Sequence, residues 1–305
     1  MAFTEKFAKA SLRVPELVIP NTRLDLTKYA VLASDQKSAD YWDDVKEYIG
    51  KEPSTMYFVM PESWYGEGFK ANSEEHQQHE DLLAANMKFF LVNGSLEELD
   101  AGAMYVKRVL KNGKLRKGLL MAFDLESFDL VKGKAEVCEA QLKKQAAIRA
   151  KLPLECPSII LGYEDKDGKL NKYLDSAIEN EKPYYDFDLM KESGHLTGCY
   201  IKEEGKLEDL SDILLEINGD GNAFSLIAGG SDLAAAKANW DRFKRYIPSD
   251  QRLEHPARFT LVELVNSNDE TLPITDAEDS RFSFDSRRIT KINKEHIVPN
   301  AGWNI

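Results

Sequence analysis

A glycine turn is the part of the sequence whose residue types could best bind an anion. Gly229, Gly230 and Ser231 stand between an apolar run, residues 224–228, and an amphipathic run, residues 231–246. This pattern predicts a buried strand, a turn and a helix. The backbone N–H groups in the first turn of a helix have no intrahelical partner and point one way, so phosphates often bind there. The turn is therefore a candidate phosphate site.

Asp232 weighs against that site. A carboxylate in the first turn of a helix interacts with the positive end of the helix dipole and repels a phosphate. Ser and Asp are also common helix caps. The sequence therefore favours a structural role, in which Ser231 or Asp232 caps the helix, over a phosphate site.

Carboxylates that come at the ends of predicted strands are the remaining candidates for catalysis. Asp35 follows residues 29–33, and Asp124 and Glu126 lie at the end of residues 115–124. A carboxylate in such a place can act as a general base or as a magnesium ligand. It can equally cap the next helix, and we expect that structural role.

Two further groups of side chains could bind ions. His76 and His79 are three residues apart on a predicted helix, a spacing that can bind a metal. The motif offers no third ligand, so a solvated helix face is favoured and no metal site is predicted. Arg116 and Lys117 could bind an anion or lie on the surface of a hairpin.

The charge balance argues against several classes of partner. The 305 residues include 40 Lys or Arg and 52 Asp or Glu, which gives a net charge of −12. No basic cluster is dense enough to offset that charge, so neither nucleic acid nor an anionic membrane surface is expected as a partner. No apolar run approaches the roughly 20 residues of a membrane span, and the N-terminus does not resemble a signal peptide. We expect a cytoplasmic protein with three reduced thiols, Cys138, Cys156 and Cys199.

Hydrophobic periodicity predicts alternating strands and helices in the first half of the chain. Strands are expected at residues 29–33 and 56–60, and helices at residues 38–49 and 73–91, the second with Leu82, Leu83, Met87 and Phe90 on its apolar side. Asn112 and Gly113 predict a tight hairpin between residues 104–110 and 115–124, because both positions tolerate a positive φ.

The second half repeats this mixed pattern after a helix at residues 136–152 that bridges the halves. Strands are predicted at 158–162, 195–201, 224–228 and 259–265, and helices at 172–180, 207–216 and 231–246. The fold class is α/β, with a mixed sheet and flanking helices. The expected division is an N-terminal half, residues 1–135, a C-terminal half with the glycine turn, residues 136–271, and a polar tail, residues 272–305, that is weakly ordered by composition.

Several motifs resemble the domain of unknown function 1015 family of bacteria and archaea. In the second half they are Leu233, Ala234, Ala236, Lys237 and Trp240, followed by HPAR at 255–258 and ELVN at 263–266. Upstream they are YAVLASDQ (29–36), DYWDDV (40–45), GKEPSTM (50–56), RKGLLMAFDLE (116–126), IRAKLPLECP (148–157) and YDFDLM (185–190). The resemblance extends over nearly the whole chain.

The resemblance implies a ParB/sulfiredoxin-like fold of two closely packed halves. It also implies an ancestral nucleotide or phosphate site at Gly229, Gly230, Ser231 and Lys237. The histidine that the family has in this turn falls on Ser231, and its Pro-Ile-His-Arg run becomes Pro-Ile-Thr-Asp at residues 273–276. Both family histidines are therefore replaced. An Arg- and Glu-containing segment of the family is also replaced, by the helical run at residues 136–149.

These departures favour a family member that has kept the fold and lost catalysis. We expect a protein-binding or structural component of a larger cytoplasmic assembly, with a cytoskeletal assembly as one candidate and with no cofactor. The alternative is a nucleotide-dependent small-molecule phosphotransferase similar to a free serine kinase. It would use ATP or ADP with magnesium, and Asp35, Asp124 and Glu126 would serve as base or magnesium ligands.

Overall fold

The protein is represented by a computed structural model. The structure describes residues 1–32, 38–58, 73–134, 137, 139–156, 159–219, 224–272, 274, 282–283 and 286–288.

The helices of the described residues include long amphipathic ones that cover the main sheet. Their bounds are α1 Phe3–Lys9, α2 Leu26–Tyr29, α3 Ala39–Ile49, α4 Glu74–Val92, α5 Glu139–Lys151, α6 Lys169–Ala177, α7 Glu204–Asn218 and α8 Gly230–Phe243. Ser38 caps α3 through a hydrogen bond from the backbone N–H of Tyr41, and Ser73 caps α4 in the same way. These two predicted helix starts are confirmed.

The strands form one large mixed sheet and two smaller sheets. Their bounds are β1 Leu12–Arg13, β2 Glu16–Pro20, β3 Val31–Leu32, β4 Leu96–Ala101, β5 Ala103–Leu110, β6 Leu115–Asp124, β7 Leu154–Glu155, β8 Ile160–Tyr163, β9 Tyr185–Asp188, β10 Gly194–Ile201, β11 Ser225–Ala228, β12 Phe259–Asn266, β13 Phe282–Ser283 and β14 Ser286–Arg288. The large sheet has the order β11-β8-β12-β6-β5-β10-β9, and β1 also pairs with β6. Its β8–β12 pair is parallel and its other pairs are antiparallel, so the predicted mixed sheet is confirmed.

The two faces of the large sheet bury separate apolar clusters. Along β6, Leu119, Met121 and Phe123 enter one cluster, while Leu120 enters the other. This alternation follows from the period of two in a strand. Helices α1, α6, α7 and α8 pack on the first face. The other face packs on α4 and on a four-stranded sheet of order β4-β2-β14-β7.

The hairpin prediction is confirmed, but its turn differs from the expected one. β5 and β6 pair in antiparallel register from Met104 with Leu120 to Val109 with Leu115. Gly113 has a φ of +82°, whereas Asn112 keeps a negative φ and accepts a hydrogen bond from the backbone N–H of Lys114 at 3.0 Å. Only one turn residue therefore uses the left-handed region.

The predicted strand, helix, strand unit near the N-terminus is confirmed in part: its helix is α3 and its first strand is reduced to β3, but residues 56–58 form no strand. Tyr29 ends the helix α2, and the strand that follows contains only Val31 and Leu32. Residues Thr55–Phe58 form a 3₁₀ helix, and residues 59–60 lie outside the described residues. The hydroxyl of Thr55 donates to the carbonyl of Tyr29 and accepts from the N–H of Val31, at 3.0 and 3.2 Å. These side-chain bonds take the place of a strand ladder.

Two short segments of the tail pair with other strands. β13 pairs with β3, and β14 lies between β2 and β7. Backbone pairing to existing strand edges does not require apolar side chains, so composition does not predict these two segments. β14 therefore connects a strand from residues 1–135 with one from residues 136–271, and the division at residue 135 stays a prediction.

Candidate functional site

The glycine turn forms the start of α8 without a side-chain cap. Gly229 is the N-cap residue, with φ 77° and ψ 31°, and its carbonyl accepts the N–H of Leu233 at 3.0 Å. The prediction that Ser231 or Asp232 caps the helix is wrong. Both lie inside the first helical turn, whereas a capping side chain must come from the residue before the helix. Asp232 still places a carboxylate at the positive end of the helix.

Trp240 anchors the other half of α8. Its position seven residues after Leu233, on the helical face that also carries Ala236, predicts burial. The side chain is fully buried in the same apolar cluster as Phe224, which confirms that prediction. The indole Nε1 donates to Glu126 Oε1 at 2.7 Å, and the ring stacks on His255 with 6.0 Å between centroids. Burial lowers the pKa of His255, whose Nδ1 accepts from the N–H of Ala257. The sequence did not predict these polar partners of Trp240.

Glu126 also accepts a hydrogen bond from Lys244, the residue that follows α8. Lys244 Nζ lies 3.3 Å from Glu126 Oε1 and 2.7 Å from Asp241 Oδ1. Burial alone would raise the pKa of Glu126, but the hydrogen bonds from Trp240 and Lys244 outweigh it and lower that pKa. Glu126 is therefore an ionised acceptor that holds α8 against the 3₁₀ turn after β6.

Asp124 is engaged by an arginine. The guanidinium of Arg258 donates to both of its carboxylate oxygens, at 2.9 and 2.6 Å. Asp124 Oδ1 also accepts from the backbone N–H of Glu126 at 3.0 Å. Both side chains of the pair are mostly buried. The arrangement ties the end of β6 to the start of β12.

The structure does not bring these carboxylates to the glycine turn. Glu126 contacts the side chain of Trp240, which is eleven residues after Gly229. A helix rises about 1.5 Å per residue, so the backbones of Gly229 and Trp240 are about 16 Å apart along α8. Lys237 pairs with Asp241 instead of reaching back to the turn. Asp35 and Gln36, and Thr275 and Asp276 of the replaced histidine motif, lie outside the described residues.

The histidine pair on α4 corrects another expectation. Only 1% of His76 is exposed, and its Nδ1 lies 3.1 Å from Glu80 Oε1. Lys151 of α5 reaches the other oxygen of Glu80. The predicted solvated face is therefore wrong at His76, while Leu82, expected on the apolar side, is 44% exposed. Within the described ranges, no group of three or more His, Cys, Asp or Glu could hold a metal ion.

Arg116 and Lys117 point to opposite faces of the sheet. Arg116 is buried, with Nε 3.9 Å from Glu263 Oε1, so it does not lie on the hairpin surface. Lys117 and its cross-strand neighbour Lys107 both reach Asp175 of α6, at 2.6 and 2.9 Å. Burial would raise the pKa of Asp175, yet the hydrogen bonds from the two lysines hold it below the ordinary value.

A cleft of about 600 Å³ lies beside this lysine pair, and sequence reasoning missed it. Lys107, Thr197 and Cys199 line it on the sheet side, and Asp175 lines it on the helix side. Thr197 donates to Asp186 at 2.7 Å, and burial raises the pKa of the Cys199 thiol. The polar groups named here already have protein partners, and the thiol is poorly reactive.

His195 forms a second polar cluster on the same face. It lies between two carboxylates of the neighbouring strand, 2.7 Å from Asp188 and 2.8 Å from Asp186. Hydrogen bonds to Asp188 and Asp186 raise the pKa of His195. The alternating D-F-D and H-L-T patterns of two adjacent strands are the sequence signal that could have found it.

None of the helices in the described part of the chain is both long and apolar enough to cross a membrane.

Comparison with known proteins identifies the family of this chain. No curated protein and no solved structure matches the sequence. A family model described as "Protein of unknown function (DUF1015)" matches residues 18–281, which is most of the chain. The chain therefore belongs to the DUF1015 family.

Proposed function

We propose that this chain is a catalytically degenerate member of its family that serves as a protein-binding or structural component of a larger cytoplasmic assembly. One observation carries the proposal. The carboxylates best placed for chemistry, Asp124 and Glu126, are each bonded to cationic or N–H donors outside the glycine turn: Arg258 for Asp124, and Trp240 and Lys244 for Glu126.

The chemistry of phosphoryl transfer explains why this separation matters. A transferring enzyme needs a phosphate cradle, a metal-binding carboxylate and a base at the same phosphate. Here the cradle residues are at the first turn of α8, whereas Glu126 contacts Trp240 in its second half and Asp124 contacts Arg258 just before β12. Ser231 also stands where the resembling family has a histidine, so the imidazole donor for an oxyanion is missing.

The alternative function is the nucleotide-dependent phosphotransferase with ATP or ADP and magnesium. In favour of it, Gly229 leaves the first turn of α8 without a side-chain cap. A helix start alone does not make a site, and Asp232 lies in the same turn. Asp35, which lies outside the described residues, is the remaining candidate for the base or magnesium ligand of this alternative.

Thermal shift measurements separate the two functions. We expect ATP, ADP and CTP, each with magnesium at millimolar concentration, to leave the melting temperature unchanged. If a nucleotide binds, a concentration of about 100 times its dissociation constant would raise the free energy of unfolding by about 2.7 kcal/mol. The melting temperature would then rise by several degrees. A nucleotide-specific shift that Gly230→Asp abolishes and the surface variant Glu75→Ala retains would contradict the proposal.

Native capture from the source cytoplasm tests the binding role. We expect the tagged full chain to recover a partner in constant stoichiometry, and to recover neither nucleic acid nor lipid. Recovery of the chain alone at near-native concentration would contradict a role in an assembly. Duplex DNA should give no anisotropy change at about 150 mM salt, since phosphate attraction is weak there for a chain of net charge −12.

A further inference from the structure

The end of α8 and the loop after it expose two large apolar side chains. Tyr246 is 82% exposed and Leu253 is 58% exposed, the former more than any other large apolar side chain in the described residues. Arg252 Nε donates to the carbonyl of Ile247 at 2.9 Å, which folds the loop back against the helix end. Tyr246 and Leu253 are thus exposed on either side of a loop that this hydrogen bond closes. We name residues 242–253 the α8-end surface.

This surface carries a local positive charge in an acidic protein. The chain has a net charge of −12, yet residues 242–253 contain four Lys or Arg and one Asp. Lys244 is used in a pair with Asp241. Arg242 and Arg245 are exposed and form no ion pair with any residue that the structure describes.

The exposed arginines and the tyrosine lie on one side of the chain. Arg245 and Tyr246 follow Arg242 by three and four residues, the spacing of side chains that are neighbours on a helix. The helical hydrogen bonds continue past α8, from the N–H of Lys244 to the carbonyl of Trp240 and from the N–H of Tyr246 to that of Phe243. These bonds keep the three side chains together.

Packing and polar contacts hold the helix end and the loop beneath this surface in place. One turn before Lys244, Trp240 is fully buried and bonded to Glu126. The next loop is held by Arg252 and by an ion pair between Arg13 and Glu254 at 2.6 Å. A binding surface that is ordered before its partner arrives loses less entropy on association.

We propose that the α8-end surface docks an acidic segment of a partner protein, with an aliphatic or aromatic side chain of that segment packed on Tyr246. This proposal rests on the protein-binding function proposed above. Arg forms bidentate hydrogen bonds with carboxylates, and Tyr and Arg are the residue types enriched at binding hot spots. The surrounding surface of this acidic chain repels a second acidic segment, so docking is confined to the α8-end surface.

Other occupants agree less well with the charges. Nucleic acid would meet a chain of net charge −12 with two available arginines at this surface. A second copy of the chain would bring the same net charge, which opposes self-association at low salt. These two occupants are outcomes of the test.

The test selects random dodecapeptides for binding to the immobilised full chain at about 150 mM salt. We expect the enriched peptides to carry several Asp or Glu beside an aromatic or aliphatic residue. The double variant Arg242→Gln/Arg245→Gln should weaken their binding by about tenfold or more, and Tyr246→Ala by a similar factor. The control Lys51→Gln/Lys111→Gln, which removes the same charge from other exposed positions, should change binding by less than about twofold.

Several results would overturn the proposal. Enriched peptides without acidic residues, or equal loss in the control, would exclude docking through these arginines. Duplex DNA binding that the Arg242→Gln/Arg245→Gln variant abolishes would assign the surface to nucleic acid. A concentration-dependent dimer lost in that variant would assign it to a second copy. If native capture recovers the same partner with the variant as with the wild type, the binding function stands and this surface is the wrong one.

Discussion

The two ends of α8 differ in what their polar groups contact. At the first end, Gly229 begins the helix with backbone atoms alone, in a left-handed conformation. At the second end, Glu126, Lys244 and His255 surround the buried indole of Trp240. The first end therefore starts on a glycine without a side-chain cap, whereas charged side chains hold the second end in place.

The difference shows how carboxylates at strand ends can serve the hydrogen-bond network of the fold. Asp124 joins two strands through Arg258, and Glu126 attaches a helix through Trp240. Both use their charge as an acceptor in the hydrogen-bond network of the fold. A carboxylate at a strand end is therefore a poor indicator of a site until its distance from a ligand cradle is known.

The largest effect is expected where the second end is most buried. Trp240→Ala should lower the free energy of unfolding by about 3–5 kcal/mol, because it leaves a cavity in the core and removes the donor to Glu126. Chemical denaturation measures this loss. A loss under about 1 kcal/mol would mean that the second end contributes little to the stability of α8.

Trp240→Phe serves as the matched control. It keeps a buried aromatic ring, but it removes the N–H that donates to Glu126 together with part of the indole. We expect a loss of about 1–3 kcal/mol, which includes the hydrogen bond to a charged acceptor and a smaller cavity. If the Phe and Ala variants lose equal stability, the hydrogen bond dominates and the packing is unimportant.

Strongly periodic segments were predictable from the sequence. The helices α3, α4 and α7, the hairpin of β5 and β6, and the burial of Trp240 all follow from apolar spacing and from capping or turn residues. Local chemistry sets these features, so the surrounding fold changes only their bounds.

Features that depend on distant partners were not predictable. Thr55 belongs to a 3₁₀ helix because its hydroxyl meets the backbone of Tyr29. β14 forms because β2 and β7 offer it two edges. Likewise the contact of Glu126 with Trp240 spans 114 positions of sequence, and no spacing rule reports on such a pair. The position of the predicted site residues therefore needed the structure.

An intermediate effect is expected at the first end. Gly229→Ala should lower the free energy of unfolding by about 1–2 kcal/mol, since an L side chain disfavours the φ of 77° found there. Gly205→Ala is the matched control, because Gly205 lies in α7 with open space around it. That variant should be stabilising by about 0.5–1 kcal/mol. Equal effects of the two substitutions would show that the backbone of Gly229 is not restricted to the left-handed region.

The smallest effect is the pH dependence that Glu126 gives to the second end. Its pKa in the folded protein is below the ordinary value of 4.5, so the folded state favours the ionised form. The stability from this group is present above the pKa of the unfolded chain and is lost as the pH falls through the folded pKa. Its side chain is 41% exposed, so solvent weakens the effect. In Glu126→Gln the amide oxygen still accepts from Trp240 but carries no charge for Lys244. Denaturation from pH 7 to pH 3 should therefore show the wild type more stable near neutrality and the two proteins converging in acid, where Glu126 is protonated. A stability difference that stays constant or grows on acidification would mean that Glu126 holds α8 by shape alone. The second end would then resemble the first in making no use of charge.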